Sequence, residues 1–242
     1  MARVFVVGAT GGTGIRVCQQ LAARGHKVYG LHRKPEQAYR LSLYGIQPVL
    51  GDLIHCSPEQ MATFLSPAET IVFLAHGRDG TPADRNAVNE LALTMIARAA
   101  ITLGGRRLIY ASCHLDTSAH DVDHTALADY HSRREAEIVI AGTDLDWVAL
   151  RSAPLSDEVG AGSIQAGLAV RPSLLTRDDL AEAMRTVIEH PELRQIFIEV
   201  SSGDAPIAAA LRHMIRYSPK PTGRIGSVIT RFPASQGRFL HS

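Results

Sequence analysis

The sequence predicts an α/β protein built on a doubly wound parallel sheet, and two observations carry this prediction. Short aliphatic runs of strand length alternate with helical patterns from the amino terminus to about residue 217, as parallel strands joined by crossover helices require. The first run, at residues 3–7, ends in a glycine-rich turn that leads at once into a helical pattern. In sheets of this kind ligands bind at the carboxyl ends of the strands, so we expect the functional site at that edge.

Seven strands are predicted, with helices between most of them. The strands lie at residues 3–7, 27–31, 46–50, 69–75, 106–112, 144–151 and 195–200. Helical patterns follow the glycine turn and then cover residues 35–44, 83–103, 126–141, 180–188 and 205–217. Glycines suited to a left-handed C-cap end the first three of these helices, at Gly25, Gly45 and Gly104.

The turn after the first strand carries glycines at three-residue spacing, Gly8, Gly11 and Gly14. Unpaired N–H groups at a helix amino terminus attract anions, and a residue without a Cβ lets a diphosphate approach the backbone closely. Gly14 also allows the helix to pack against the strand. We therefore expect a dinucleotide pyrophosphate here rather than a glycine-rich turn without a ligand. The predicted contact residues are Gly8, Thr10, Gly11, Gly12, Thr13 and Gly14.

Basic residues follow the second predicted strand. In a dinucleotide-binding sheet this position faces the adenosine ribose, where an acidic residue selects NAD. The sequence has Arg33 and Lys34 instead, and a guanidinium can clamp a 2′-phosphate with an ammonium beside it. NADP(H), rather than NAD(H), is therefore the expected cofactor. The alternative is a pair of basic residues on a solvated loop.

Residues after the third and fourth strands complete the predicted cofactor edge. Asp52 and Leu53 follow the third strand, where the carboxylate could accept the adenine amino group or, alternatively, cap the next helix. Ala75, His76 and Gly77 follow the fourth strand, and we expect them near the nicotinamide half of the cofactor.

The composition changes after Ser152, where prolines and glycines interrupt the regular pattern. A chain of 242 residues, 45% of them hydrophobic, can bury one sizeable core. We therefore expect a single domain over residues 1–217. Within it, residues 152–195 and 203–217 are expected to form a small C-terminal substrate-side region. Residues 218–242 show little periodicity and are expected to form a tail or an arm.

An ordered set of motifs resembles a known family. The motifs occupy residues 8–14, 51–53, 110–112, 130 with 133–137, 146–151 and 176–181. Together they resemble an atypical or extended short-chain dehydrogenase/reductase of the NAD(P)-binding, NmrA-like kind, over roughly residues 3–215. The resemblance implies a Rossmann fold, a nicotinamide cofactor and a Ser–Tyr–Lys catalytic group.

Carried over by position, the resemblance places Ser112 at the catalytic serine or just beside it, and it makes Tyr130 the catalytic tyrosine. Arg134 stands where the family has lysine, four residues after the tyrosine. In carbonyl reduction Tyr130 would donate a proton to the developing oxyanion, and Ser112 would donate a hydrogen bond. Arg134 shares a helical face with Tyr130 and can supply positive charge, but it cannot shuttle protons as lysine might.

The resemblance thus implies an NADP(H)-dependent oxidoreductase that acts on a small carbonyl or alcohol. Two other functions stay open. One is an NmrA-like regulatory or binding protein that senses NADP without turnover, which the arginine at position 134 would suit. The other is a nucleotide-sugar epimerase or dehydratase, for which the short region after Ser152 leaves little room.

Residues 113–131 are rich in His and Asp. His120 and His124 are four residues apart, a spacing that suits two ligands on one helical face. The segment has neither a His-Glu-x-x-His nor a Cys-x-x-Cys pattern, so we expect a polar loop facing the substrate, and no metal. His114, His120 or His124 could contact substrate or act as an acid, and Asp123 with His124 could instead cap the next helix.

Charge and composition narrow the expected partners. A net charge of +1 and an aromatic content of 5% give no indication of nucleic acid or of an anionic membrane. The sequence shows no signal-peptide pattern and no apolar run of transmembrane length. Its three cysteines are scattered, which favours a reducing compartment. We expect a cytoplasmic protein with a small-molecule substrate and a homodimer as a possible assembly.

Overall fold

The computed structural model describes residues 1–76, 81, 87–114 and 124–220, and for residues 124–129 it describes the backbone alone. The strands are β1 (Arg3–Val7), β2 (Lys27–His32), β3 (Gln47–Leu50), β4 (Thr70–Phe73), β5 (Arg107–Cys113), β6 (Trp147–Ser152), β7 (Leu155–Ser156), β8 (Ser163–Gly167), β9 (Leu175–Thr176), β10 (Ile196–Ser202) and β11 (Ala205–Pro206). The α-helices are α1 (Gly12–Ala23), α2 (Gln37–Leu43), α3 (Pro58–Leu65), α4 (Leu93–Thr102), α5 (His124–Ala141), α6 (Arg177–Glu189) and α7 (Ile207–Met214).

A nine-stranded sheet runs through the described region in the order β11–β8–β10–β6–β5–β4–β1–β2–β3. The strands from β10 to β3 are parallel to their neighbours, whereas β8 is antiparallel to β10 and to β11. β7 and β9 form a separate parallel pair. The predicted α/β fold with a doubly wound parallel sheet is confirmed, except that β8 runs antiparallel to its neighbours.

Helices cover both faces of the sheet because alternate residues of each strand point to opposite sides. Val4 and Val6 of β1 belong to an apolar cluster with residues of α1, α6 and α7. Phe5 and Val7 belong to a second cluster with residues of α3, α4 and α5. Strands buried on both sides are expected to be almost wholly aliphatic, which is the pattern that identified them in the sequence.

Short strands after Ser152 are the main feature that the sequence analysis missed. β7, β8 and β9 all lie in the stretch that prolines and glycines interrupt. β8 is antiparallel, so the sheet is not parallel throughout. Two- to five-residue strands carry too little periodicity to be recognised without their pairing partners.

Two predicted helices also differ in extent from those described. The helix predicted at residues 205–217 begins at Ile207 because Ala205 and Pro206 join the sheet as β11, and its last turn, Ile215–Tyr217, is a 3₁₀ helix. The helix predicted at residues 83–103 is described from Ala87, where a π-helical segment, Ala87–Ala92, leads into α4. Residues 82–86 lie outside the described residues, as does the predicted tail from residue 221 onward.

The chain reaches β11 by crossing closely over β8. A Cβ added to Gly203 would lie 2.5 Å from the backbone nitrogen of Gln165 and 2.8 Å from the carbonyl carbon of Ile164. Only a residue without a side chain allows this approach. Gly203 therefore fixes the position of the C-terminal edge of the sheet.

α1 and α6 run side by side in the same direction. Near the amino termini, Arg16 Nε donates a hydrogen bond to Asp178 Oδ1 at 2.8 Å. At the other ends, His26 Nε2 lies 3.5 Å from Glu189 Oε1. Since α1 follows the parallel strand β1, both helices begin at the edge formed by the carboxyl ends of the strands.

Asp179 fastens the loop before β8 to the first turn of α6. Its buried carboxylate accepts hydrogen bonds from the N–H groups of Ala161 (3.0 Å) and Gly162 (2.8 Å) and from the hydroxyl of Thr176 (2.8 Å). Thr176 in turn caps α6 by accepting a hydrogen bond from the Asp179 N–H at 3.0 Å. These hydrogen bonds join the loop before β8 to the start of α6, and the Arg16–Asp178 hydrogen bond joins the start of α6 to α1.

Candidate cofactor and active site

The turn between β1 and α1 is shaped by two close backbone approaches. Gly8 has a φ of +90°, and a Cβ there would lie 2.7 Å from the Ala75 nitrogen. A Cβ on Gly14 would lie only 1.9 Å from the Gly8 carbonyl oxygen. The Gly11 N–H closes the turn by donating to that same oxygen at 3.1 Å. Gly8 and Gly14 therefore accept no side chain, and at both positions the surface of the turn is formed by backbone atoms.

The amino terminus of α1 lies beside this turn, and its first residue, Gly12, is exposed. Its N-cap, Gly11, makes no side-chain capping hydrogen bond, and the first turn contains no acidic residue. Backbone donors at such a terminus suit an anion. The predicted residues Thr10, Gly12 and Thr13 lie in the turn or in the first residues of the helix. A glycine cradle of this shape fits a diphosphate.

Arg33 and Lys34 follow β2, as predicted, and both are exposed. Gln37 fixes their backbone, because its Oε1 accepts hydrogen bonds from the N–H groups of Arg33 (3.2 Å) and Lys34 (3.0 Å). Nδ1 of the buried His32 also lies 3.0 Å from the Lys34 carbonyl oxygen. The backbone of the turn is therefore held rigidly, and its two charged side chains extend from a fixed base.

Asp52 lies after β3, but it does not cap the helix that follows. Ser57 is the N-cap of α3 and forms a capping box with Gln60. Asp52 Oδ1 instead accepts a hydrogen bond from the Ile54 N–H at 3.0 Å. The capping alternative for Asp52 was wrong. Leu53, the next predicted residue, is partly buried against the second apolar cluster.

Ala75 and His76 follow β4, beside the glycine turn. Ala75 is partly buried and lies against Gly8, as the 2.7 Å approach shows, whereas His76 is exposed. Gly77 lies outside the described residues.

The three predicted catalytic residues each contact a different neighbour. Ser112, near the end of β5, is 3% exposed, and its carbonyl oxygen accepts a hydrogen bond from the Ser152 hydroxyl at 3.4 Å. Tyr130, in α5, is partly buried, and its ring meets that of His131 edge-on with centroids 5.3 Å apart. Arg134 Nη1 lies 3.4 Å from Glu137 Oε2, and its side chain is 47% exposed. The described contacts thus do not join these three side chains directly.

Arg133, one residue earlier, is the more deeply buried arginine of α5, at 4% exposed. Burial raises the pKa of the Tyr110 phenol well above its usual range, and the positive charge of Arg133 acts in the opposite direction. Sequence reasoning chose Arg134 from its spacing to Tyr130 and missed Arg133. The available signal was the helix face that Arg133 shares with Ala136 and Ile140, both fully buried.

A row of polar residues crosses the sheet near the carboxyl ends of three strands. Ser112 of β5 is paired in register with Arg151 of β6, which is paired with Glu199 of β10. Above this row, Glu137 of α5 receives two hydrogen bonds from Arg151, at 3.0 and 2.7 Å. The Arg151 guanidinium also lies 4.5 Å from the centre of the Phe197 ring.

Arg151 stays charged although its side chain is only 14% exposed. Burial lowers the pKa of its guanidinium, but hydrogen bonds to Glu137 and the charges of Glu137 and Glu199 outweigh that effect and raise it. The carboxylates of Glu137 and Glu199 therefore lie on either side of the Arg151 guanidinium. Arg134, which pairs with Glu137, is the most exposed charged side chain of this group.

His114 links the end of β5 to the C-terminal region. Its Nε2 lies 2.9 Å from Glu199 Oε2 and 3.0 Å from the Val170 carbonyl oxygen. Glu199 Oε2 also accepts a hydrogen bond from the Val170 N–H at 2.8 Å. His114 therefore holds the segment between β8 and β9 against the sheet. His120 lies outside the described residues, as does the side chain of His124.

Within the described part of the chain, no group of three or more His, Cys, Asp or Glu side chains is arranged to hold a metal ion. No described helix is both long enough and apolar enough to cross a lipid bilayer.

Comparison with known proteins agrees with the geometry of the glycine turn. Residues 8–191 match the model of the NAD(P)H-binding family. A Bacillus subtilis (strain 168) protein, named an uncharacterized sugar epimerase, YhfK, is 28% identical over 218 residues, which cover 88% of this chain and 100% of that protein.

Two solved structures share the fold. One is a Bacillus halodurans protein named as a candidate NAD-dependent epimerase/dehydratase, with a TM-score of 0.79 and 23% identity over 88% of this chain and 100% of that one. The other is the oxidoreductase ylbE from Lactococcus lactis, with a TM-score of 0.79 and 20% identity over 91% of this chain and 100% of that one.

Proposed function

The chain belongs to the NAD(P)H-binding family, and from that membership we propose that it is an NADP(H)-dependent oxidoreductase of the short-chain dehydrogenase/reductase type. Its reaction is hydride transfer between the nicotinamide and a small carbonyl or alcohol. The observation that carries this proposal is the glycine turn between β1 and α1, where Gly8 and Gly14 lie too close to backbone atoms to carry a side chain and the amino terminus of α1 has no side-chain cap. The polar row on β5, β6 and β10 then lies at the same edge, where a substrate would meet the cofactor.

The cofactor is proposed to lie along the carboxyl edge from β3 to β5. Gly8 and residues 10–14 hold the pyrophosphate, Arg33 and Lys34 bind the 2′-phosphate, Asp52 and Leu53 face the adenine, and residues 75–77 lie near the nicotinamide. Bound NADP(H) supplies or accepts the hydride. The exposed side chains of Arg33 and Lys34 on a rigid turn support NADP(H) over NAD(H).

The proposed chemistry uses residues of β5 and α5. The Ser112 hydroxyl donates a hydrogen bond to the substrate carbonyl oxygen, and the Tyr130 hydroxyl donates the proton that this oxygen takes up. Arg134 supplies positive charge on the same helical face as Tyr130. In the structure its guanidinium is paired with Glu137, which lies one turn further along the helix, on the side away from Tyr130. Arginine does not release its proton, so proton return to Tyr130 comes from solvent in this scheme.

Replacing Tyr130 by phenylalanine is expected to lower the rate of NADPH oxidation by about 100-fold or more, because general acid catalysis contributes about 10²- to 10⁴-fold. The assay follows loss of NADPH absorbance against a panel of small aldehydes and ketones. Tyr44→Phe is the matched control, since Tyr44 is the C-cap of α2, remote from the carboxyl edge. Unchanged turnover by Tyr130→Phe would remove that residue from the mechanism.

Replacing Arg33 by alanine is expected to weaken NADPH binding by about tenfold and to leave NADH binding nearly unchanged. A charge-assisted hydrogen bond is worth about 1.5 kcal/mol or more, which corresponds to about tenfold in affinity, and only NADPH carries the 2′-phosphate. Titration calorimetry measures both affinities. Arg40→Ala, at an exposed position in the last turn of α2, serves as control. Equal losses for the two nucleotides would contradict the assignment of Arg33 to the 2′-phosphate.

A second candidate is epimerase-type chemistry, which the name of the Bacillus subtilis relative favours. An epimerase returns its hydride to the same substrate, so it consumes no NADPH and retains a tightly bound nucleotide. Net NADPH oxidation with a carbonyl supports the oxidoreductase. Interconversion of a sugar nucleotide without net consumption supports the epimerase. Tight NADPH binding with neither reaction identifies a sensor, a role compatible with the exposure of Arg134.

A further inference from the structure

Arg177, the first residue of α6, lies directly against the glycine cradle. A Cβ added to Gly12 would lie 3.1 Å from Arg177 Nε and 3.2 Å from its Cδ. The side chain of Arg177 is 19% exposed. A guanidinium from the C-terminal region thus lies over the first residue of α1, although the two residues are far apart in the sequence.

This guanidinium belongs to a group of four charged side chains, with those of Asp157, Arg16 and Asp178. Asp157 lies 3.4 Å from Arg177 Nη1 and also 3.4 Å from Arg16 Nη2. Arg16 has two further partners, because its Nε donates to Asp178 Oδ1 and its Nη1 donates to the Gly12 carbonyl oxygen, both at 2.8 Å. Arg16 is therefore fixed by several strong contacts. The ion-pair partner described for Arg177 is Asp157, whose side chain is 72% exposed.

An exposed carboxylate holds a guanidinium only weakly, since such ion pairs contribute about 0–1 kcal/mol. A pyrophosphate at the amino terminus of α1 would carry two negative charges and accept hydrogen bonds in the bidentate geometry that arginine favours. It would therefore compete successfully with Asp157 for Arg177. Arg177 stands on the first turn of α6, which the hydrogen bonds between Thr176 and Asp179 hold in place, so a change of partner requires movement of the Arg177 side chain alone.

We infer that Arg177 is a pyrophosphate-binding residue, and that Asp157 holds its guanidinium in place until the dinucleotide binds. This inference rests on the proposed function. It assigns part of the cofactor site to the C-terminal region, which thereby closes over the cofactor as well as facing the substrate. The ligand chemistry is the diphosphate common to NADPH and NADH, not the 2′-phosphate that distinguishes them.

The test measures the affinities of the full chain for NADPH and NADH by titration calorimetry. Arg177→Ala is expected to weaken both by about tenfold, so their ratio stays constant, unlike that of Arg33→Ala. Asp157→Asn is expected to strengthen both by about twofold, because a competing carboxylate is lost. Arg24→Ala is the matched control. Arg24 is exposed at the C-cap of α1, and a helix of that length spans about 18 Å.

Three results would overturn the inference while leaving the proposed function intact. They are unchanged affinities in Arg177→Ala, a loss confined to NADPH, and a loss in Asp157→Asn as large as that in Arg177→Ala, which would make the ion pair a purely structural contact. If Arg177→Ala does not fold, Arg177→Gln keeps the side-chain volume and is held to the same criteria. Failure of the unaltered protein to bind either nucleotide would remove the proposed function together with this inference.

Discussion

Replacing Gly14 by alanine is expected to abolish measurable NADPH binding and to lower the free energy of unfolding by about 3 kcal/mol or more. The added Cβ would lie 1.9 Å from the Gly8 carbonyl oxygen and 2.8 Å from its carbonyl carbon. Both atoms are backbone, so no side-chain rotation relieves the clash. The helix must move away from β1, and that movement opens the cradle. Titration calorimetry and urea denaturation measure the two effects.

Gly142→Ala is the matched control for this variant. A Cβ at Gly142, just after α5, would lie 3.4 Å from the Ile138 carbonyl oxygen, an ordinary contact distance. We expect its stability and its NADPH affinity to match those of the unaltered protein. Full NADPH affinity in Gly14→Ala would contradict the role of the close β1–α1 packing in binding.

Replacing Glu137 by alanine is expected to lower the free energy of unfolding by about 3–5 kcal/mol, the usual cost of leaving a buried charge without its partner. The Glu137 side chain is 3% exposed and accepts two hydrogen bonds from Arg151. Without Glu137, the Arg151 guanidinium still lies 3.8 Å from the Glu199 carboxylate and packs against the Phe197 ring. Both contacts are weaker than the two hydrogen bonds that are lost. Urea denaturation of the two proteins measures the difference.

A double variant separates the loss of the pair from the loss of packing. Glu137→Ala combined with Arg151→Met removes both charges, and replacing a buried pair by apolar groups is often neutral. Glu199 keeps its hydrogen bond from the Val170 N–H and its contact with His114. We therefore expect the double variant to be more stable than Glu137→Ala alone. If the second substitution instead adds a further loss, the charge argument fails.

The position of the glycine turn between β1 and α1 was predictable because its signals are local in the sequence. A strand, a glycine turn and a helix follow one another within residues 3–23, and their chemistry can be read without knowing any distant contact. The same holds for Arg33 and Lys34, which lie directly after β2. The confirmed fold class follows from the same kind of evidence, since the alternation of aliphatic runs and helical patterns is visible along the chain.

The rest of the site depends on contacts between distant segments. His114 and Glu199 are 85 residues apart, and nothing in either local pattern indicates that they meet. β8 can be recognised as a strand only from its pairing with β10. Successive residues of a helix are rotated by about 100°, so Arg133 and Arg134 lie on different sides of α5. Only the side that faces the sheet distinguishes them. Arg177 reaches Gly12 because α6 lies beside α1. Such pairings come from tertiary packing.

Calorimetric titration of the full, unaltered chain with NADPH tests the central claim most directly, because every proposed role depends on a diphosphate bound between β1 and α1. We predict saturable binding at one site per chain, with a dissociation constant between about 1 μM and 1 mM, the range usual for enzymes and their substrates, and weaker binding of NADH. Absence of binding by both nucleotides up to millimolar concentration would contradict the account.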